Sequence, residues 1–283
     1  YLEAKPRSRV YRETIQTVVT SRKFAMDDSK QRATELLSAM DCDVHPITEC
    51  EDERADLHAV DNTATYLVEV KHKLDDSELF RDHAERMARG EVVSRSEPIA
   101  HNNRISGILK HARDQLDGTP GPRDAFRLIW FHADGIDRNL HWKRALSTFY
   151  GRVHLLPMKP LGEPIECYYF DYSAAWSLPS VDAMVLSDDE GLQLLLNEFA
   201  ENIDRFCRTG LYQTFETWNA VTDPRKLVAN GDILACRSDV PRKGDDIVLN
   251  AMREQTGVLY TVIRFSQHST SATVDPLRVL KGE

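Results

Sequence analysis

Apolar positions along the chain switch repeatedly between helical and strand spacing. Ala33, Leu36, Leu37 and Met40 recur every three to four residues behind Asp27 and Asp28, which predicts a capped helix running to about Met40. Asp41-Cys-Asp43 then turns the chain into a short strand over 44–47, an acidic loop follows at 49–53, and 55–60 reads as a second strand. Asp61-Asn62 is a turn signal, and Thr65-Tyr-Leu-Val-Glu-Val70, rich in β-branched and aromatic residues, is the clearest strand of this half.

Residues 75–89 are crowded with charge and predict a surface helix ended by Gly90. Asn102 or Asn103 caps a stronger helix through Leu116, with Ile105, Ile108, Leu109, Ala112 and Leu116 on one face. After a Gly/Pro loop at 118–122 come an apolar strand at 126–131, a helix over 139–150, and strands at 153–156 and 165–170. Leu192, Leu195, Leu196, Phe199, Ile203 and Phe206 predict a long amphipathic helix over 189–207. The best strand of the last seventy residues is 257–265.

Helices and strands alternate to about residue 210. The class is therefore α/β or α+β, with a mixed central sheet flanked by helices. Three parts are expected: a basic arm at 1–24, an α/β core with its extension at 25–210, and a mixed α/β subdomain at 211–283 packed on that core.

Composition narrows the classes. Across 283 residues, 41% are hydrophobic and 29% charged, the balance of a soluble globular protein with ample material for a core. No apolar run approaches the ~20 residues of a membrane span, so no membrane is expected among the partners. The net charge of -9 argues against coating nucleic acid by bulk charge, although it leaves room for a local basic groove. Five widely spaced cysteines and a charged start without a signal peptide point to the cytoplasm. There is neither a phosphate-binding GxxxxGK[ST] loop nor a GxSxG nucleophile elbow.

Chemistry gathers around Asp56 and Glu69-Val-Lys71. Neighbouring strands joined by a short turn would bring Asp56 near Glu69. Strand alternation puts Glu69 and Lys71 on one face and Val68 and Val70 on the other. Two close carboxylates repel unless a cation or proton neutralises them, and a hard divalent ion such as Mg²⁺ suits oxygen ligands. A lysine beside such an ion can orient water or offset transition-state charge, which is the equipment for metal-assisted phosphodiester hydrolysis. The Asp/Glu-x-Lys pattern itself is cheap, recurring at Glu3-Ala-Lys5 and Asp28-Ser-Lys30. Only Glu69-Val-Lys71 ends an apolar strand that follows an aspartate-bearing one.

Residues 28–132 resemble the PD-(D/E)XK nuclease superfamily, the restriction-endonuclease-like fold with a core order α-β-β-β-α-β. The resemblance rests on the first helix, strand 44–47, Asp56, Glu69-Val70-Lys71, the helix to Gln115-Leu116 and the strand from Phe126. It implies a Mg²⁺-dependent endonuclease acting on nucleic acid, DNA favoured, with Mn²⁺ as a substitute ion. Asp56, Glu69 and the Val70 carbonyl would bind metal, and Lys71 would assist water. Gln115 would act near the scissile phosphate, with Arg104 and His111 on the same helix flank as nucleic-acid contacts. Glu35 is the nearest candidate for an additional acid on the first helix. Here Ala55 stands where the family often has proline, and the stretch between Lys71 and Asn103 is long. A homodimer, partner proteins of a larger system, and a bacterial defence or mobile-element role follow from the family alone.

Rival readings stay open. The same fold with a lapsed site would serve as a nucleic-acid-binding or assembly module. Alternatively, Glu69 and Lys71 are a surface ion pair of an unrelated α/β protein, worth ~0–1 kcal/mol. His45, His58 and His72 lie on different strands without short ligand spacing and do not read as a zinc site. The aromatic run Tyr168–Tyr172 with Trp176 reads as core. Arg205, Arg208, Arg225, Arg237 and Arg242 read as scattered surface charges, and a basic surface including 1–24 is expected to flank the acidic pocket.

Overall fold

The computed structural model describes residues 28–47, 54–75, 77–264 and 268–273. The basic arm 1–24 and the acidic loop 49–53 lie outside the described residues.

The chain runs α1 (Asp28–Ser38), β1 (Asp43–Pro46), β2 (Leu57–Val60), β3 (Thr65–Lys73), α2 (Ser77–Ala88), β4 (Val93–Pro98), α3 (Asn103–Gly118) and β5 (Phe126–Ala133). It continues through α4 (Arg138–Tyr150), β6 (Val153–Pro157), β7 (Ile165–Tyr168), α5 (Ala174–Ser177), β8 (Ala183–Ser187) and β9 (Leu192–Leu196). The last elements are α6 (Ile203–Phe206), α7 (Gly210–Thr217), β10 (Val221–Thr222), α8 (Pro224–Ala229), β11 (Leu234–Ala235), α9 (Asp245–Thr256), β12 (Tyr260–Ile263) and β13 (His268–Thr273).

A seven-stranded mixed sheet in the order β1-β2-β3-β5-β8-β9-β10 forms the centre of this α/β fold. β1, β2 and β3 make an antiparallel meander, and β3, β5 and β8 run parallel. Alternation along the strands divides the core. Tyr66, Val68, Val70, Leu128 and Trp130 pack toward α1, while Leu67, Ile129 and Phe131 pack toward α3 and α4. α3 starts where Asn102 accepts the Ile105 amide at 3.0 Å. It buries Ile105, Leu109, Ala112 and Leu116 against the sheet, each large side chain contributing roughly 1.5–3 kcal/mol.

The long helix expected over 189–207 is instead strand β9, a loop and the single-turn α6. Asp188 makes the tight turn, its Oδ1 accepting the amides of Glu190 and Gly191, and β9 returns antiparallel to β8. Leu192, Leu194 and Leu196 face one core layer and Leu195 the other. A strand buried on both faces is apolar at nearly every position, here all but Gln193, so it also satisfies helical spacing.

The boundary expected near 210 falls inside shared sheets. β10 extends the central sheet, while β11 and β12 join β7 and β6 in a four-stranded sheet of order β11-β7-β6-β12. β13 pairs with β4, inside the long stretch between Lys71 and α3. Tyr168, Tyr169 and Phe170 are core, with Tyr150 and Tyr168 stacked at 4.6 Å, whereas Tyr172 and Trp176 are half-buried, Trp176 lying against Phe199. Cys42, Cys167, Cys207 and Cys236 are free thiols.

Candidate functional site

β2 is short, and its pairing with β3 ends at Leu57 opposite Val68. Just beyond, the Asp56 amide donates to the Val68 carbonyl at 3.1 Å, and Asp56 Oδ2 accepts the Val70 amide at 2.8 Å. A side chain thus continues the ladder where the backbone of β2 leaves it. In an extended strand the N–H and C=O of one residue point the same way. The Val70 carbonyl therefore faces the same edge as Asp56.

Glu69 and Lys71 project from β3 to the face packed against α3, as alternation requires. Lys71 Nζ lies 2.6 Å from Glu69 Oε1 and donates to Gln115 Oε1 at 2.5 Å. Gln115 Oε1 also meets His111 Nδ1 at 2.7 Å, and its Nε2 donates to the Arg54 carbonyl at 3.3 Å. Thr119 closes the base of the group: its hydroxyl donates to the Gln115 carbonyl at 2.6 Å and accepts the Ala55 amide at 2.7 Å. The last turn of α3 is thereby tied to the residue before Asp56.

The electrostatics are uneven. The Glu69 side chain is 2% exposed, and its Oε2 is buried without a hydrogen-bond partner. Burial, then the Asp56 charge, pushes the Glu69 carboxyl up to about 7, against the pull of Lys71 and Lys30. Lys30, from α1, reaches Asp56 Oδ1 at 2.6 Å. Two ammonium groups thus face two carboxylates, yet positive charge at Glu69 is still insufficient to hold it fully ionised near neutrality.

Asp56, Glu69, Lys71 and Gln115 come together, with the Val70 backbone beside them and His111 on Gln115. Arg104 shares that helix flank but is exposed and lies three turns up α3, about 16 Å along its axis. Glu35 does not join the group. It is exposed on the outer face of α1 and accepts from Gln31 at 2.8 Å. Four of the five C-terminal arginines are engaged within the chain. Arg205 holds the Asp124 carbonyl, Arg225 pairs with Asp223 and Asp204, Arg237 pairs with Glu198, and Arg242 caps the Cys236 and Ser238 carbonyls.

The Asp28-Ser-Lys30 pattern carries no information by itself, yet α1 brings Lys30 to Asp56. Arg54 and Thr119 left no signal, since they act through a backbone carbonyl and a hydroxyl. The histidines sort differently from their order in the chain. His45 sits opposite His58 across β1 and β2, whereas His72 sits opposite His132 across β3 and β5.

Among the described residues no helix is long and apolar enough to cross a membrane. No protein family, curated protein or solved structure compared with the chain matches it, so its residues and their geometry carry the functional reading.

Proposed function

We propose that the chain is a Mg²⁺-dependent nuclease of the PD-(D/E)XK type, hydrolysing phosphodiester bonds with DNA as the favoured substrate. One observation carries the reading: a buried, unpartnered carboxylate oxygen of Glu69 beside Asp56, at a strand end where Lys71 and Gln115 meet. The element order around it supports the same reading, with α1, the β1–β3 meander, α3, and β5 parallel to β3.

The donor set fits a hard divalent ion. Two carboxylates and the Val70 carbonyl offer oxygen alone, and the buried Glu69 Oε2 has no hydrogen-bond partner. Asp56 and Glu69 would hold the ion, with Val70 alongside. When bound, Mg²⁺ or Mn²⁺ polarises a phosphoryl oxygen and makes coordinated water more acidic.

The chain's own groups do the positioning. Lys71 is clamped between Glu69 and Gln115, so its ammonium has one preferred place. From there it orients the attacking water and offsets negative charge building on the phosphate. Gln115 gives one amide hydrogen to the Arg54 carbonyl and its oxygen to Lys71, so it holds Lys71 in place. Lys30 reaches Asp56 Oδ1 from α1 and holds the place of positive charge beside it.

The test is cleavage of plasmid, single-stranded DNA and RNA in Mg²⁺, in Mn²⁺ and in EDTA. Cleavage that requires the metal supports the nuclease. Tight nucleic-acid binding without cleavage in either metal overturns it in favour of a binding module.

A further inference from the structure

We propose that His72, His132 and Asp134 form a second cation site, suited to Zn²⁺ or a similar borderline transition metal, on the sheet face opposite Glu69 and Lys71. The inference does not rest on the nuclease reading. Lys71 and His72 are consecutive in β3, so their side chains leave opposite faces. His72 stands directly beside His132 across the parallel β3–β5 pair, with ring centroids 5.4 Å apart. Asp134 follows β5 and closes the group, its amide donating to the Lys73 carbonyl at 3.0 Å. One ligand atom from each of the three residues lies within 4.8 Å of the others.

Asp134 and His132 are each held from behind, as ligands are. Asp134 Oδ1 accepts the Gly135 amide at 2.6 Å, which leaves Oδ2 turned to His72 Nε2 at 3.1 Å. Two ligands about 2.0–2.1 Å from a tetrahedral ion stand roughly 3.3 Å apart, so this spacing suits one edge of such a site. Gly135 has a φ of +97°, and a Cβ there would meet Asp75 Oδ2 at 2.5 Å, so glycine is favoured at this turn. His132 Nδ1 lies 3.0 Å from Ser187 Oγ, which also accepts Trp130 Nε1 at 3.0 Å. With Nδ1 protonated and donating to Ser187, the Nε2 lone pair of His132 is left for an ion. His72 is nine-tenths buried, and its Nδ1 has no hydrogen-bond partner. The nearby positive charge of Arg32 is matched by Asp189 at 2.7 Å.

Two imidazoles and one carboxylate select against Mg²⁺, which wants oxygen, and for Zn²⁺, which takes mixed nitrogen and oxygen donors. An ion here would join the ends of β3 and β5 one residue beyond Lys71. It would also leave coordination positions for water or a ligand.

The experiment uses the full chain, stripped with a chelator and titrated with Zn²⁺ and with Co²⁺. Binding is read by calorimetry, by the visible Co²⁺ spectrum and by the shift in Tm. The expected result is about one equivalent of Zn²⁺, not displaced by excess Mg²⁺, and a Co²⁺ spectrum without thiolate charge-transfer bands. Asp134→Asn and His72→Gln should each weaken binding by on the order of tenfold or more, while Glu69→Gln leaves it unchanged. Absence of binding to wild-type protein, a thiolate signature, displacement by Mg²⁺, or unaltered affinity in folded His72→Gln and Asp134→Asn proteins would each overturn the proposal.

Discussion

The Asp56 carboxylate accepts the Val70 amide at 2.8 Å, so the aspartate of one strand is fastened to the backbone between Glu69 and Lys71. That bond makes the relative placement of both carboxylates a property of the sheet rather than of two flexible side chains. Asp56→Ala would remove an ion pair and leave a partly buried amide without its partner. Asp56→Asn keeps a carbonyl oxygen for Val70 while removing the charge. Cleavage should collapse in both, but Asp56→Asn should unfold nearer to wild type, Asp56→Ala losing a further ~1–3 kcal/mol in denaturant titrations.

Glu69 ties stability to pH. Its carboxyl rises from the ordinary 4.5 to about 7 because burial and Asp56 outweigh Lys71. The folded state then holds this proton more tightly than the unfolded chain does. The contribution is complete below pH 4.5 and is lost as pH rises through about 7. Glu69→Gln removes the titration. In EDTA, thermal or denaturant unfolding should find the variant more stable than wild type at pH 8, by at most about 3 kcal/mol. The advantage should fade toward pH 4.5. A constant difference across that range would contradict the assignment.

Lys30 competes for the charge that a divalent ion would neutralise. It is 41% exposed and pairs with Asp56 at 2.6 Å, an interaction of roughly 1 kcal/mol at such a surface. Lys30→Met should therefore lower the Mg²⁺ concentration for half-maximal cleavage, by roughly fivefold. A rise in that concentration would show that Lys30 serves the substrate or the metal rather than opposing it.

Thr119 joins the end of α3 to Ala55 through one hydroxyl. Thr119→Val is close in shape but strands the Ala55 amide, at a cost of about 1–3 kcal/mol in unfolding experiments. Gln115 and Asp56 should both lose definition, so kcat should fall while nucleic-acid binding changes little. Thr119→Ser, which keeps the hydroxyl, should restore most of the rate.

The legibility of the site follows from how local each placement is. Strand alternation and one short turn fix the faces of Asp56, Glu69 and Lys71, and helical spacing fixes Gln115 beside a buried stripe. Those relations survive without tertiary knowledge. Lys30 depends on how α1 packs on β1 and β3, and His132 depends on the parallel register of β5 with β3. Neither packing angle nor register is written in a local pattern. Arg104 shows the complementary error: angle around a helix groups residues that the rise per residue keeps apart. β9 carries helical spacing because burial on both faces erases the two-residue period that marks a strand. The segment after 210 reads as separate because its strands β10 to β12 are short, whereas each pairs with a strand from earlier in the chain.

The most direct test of the central claim is plasmid cleavage in Mg²⁺ by wild type, Glu69→Ala and Lys71→Ala proteins, each checked for folding by circular dichroism. The account predicts that wild type nicks or linearises the plasmid and that each variant loses at least about 100-fold in rate. Equal cutting by the variants, or no cutting by wild type in either Mg²⁺ or Mn²⁺, would contradict it.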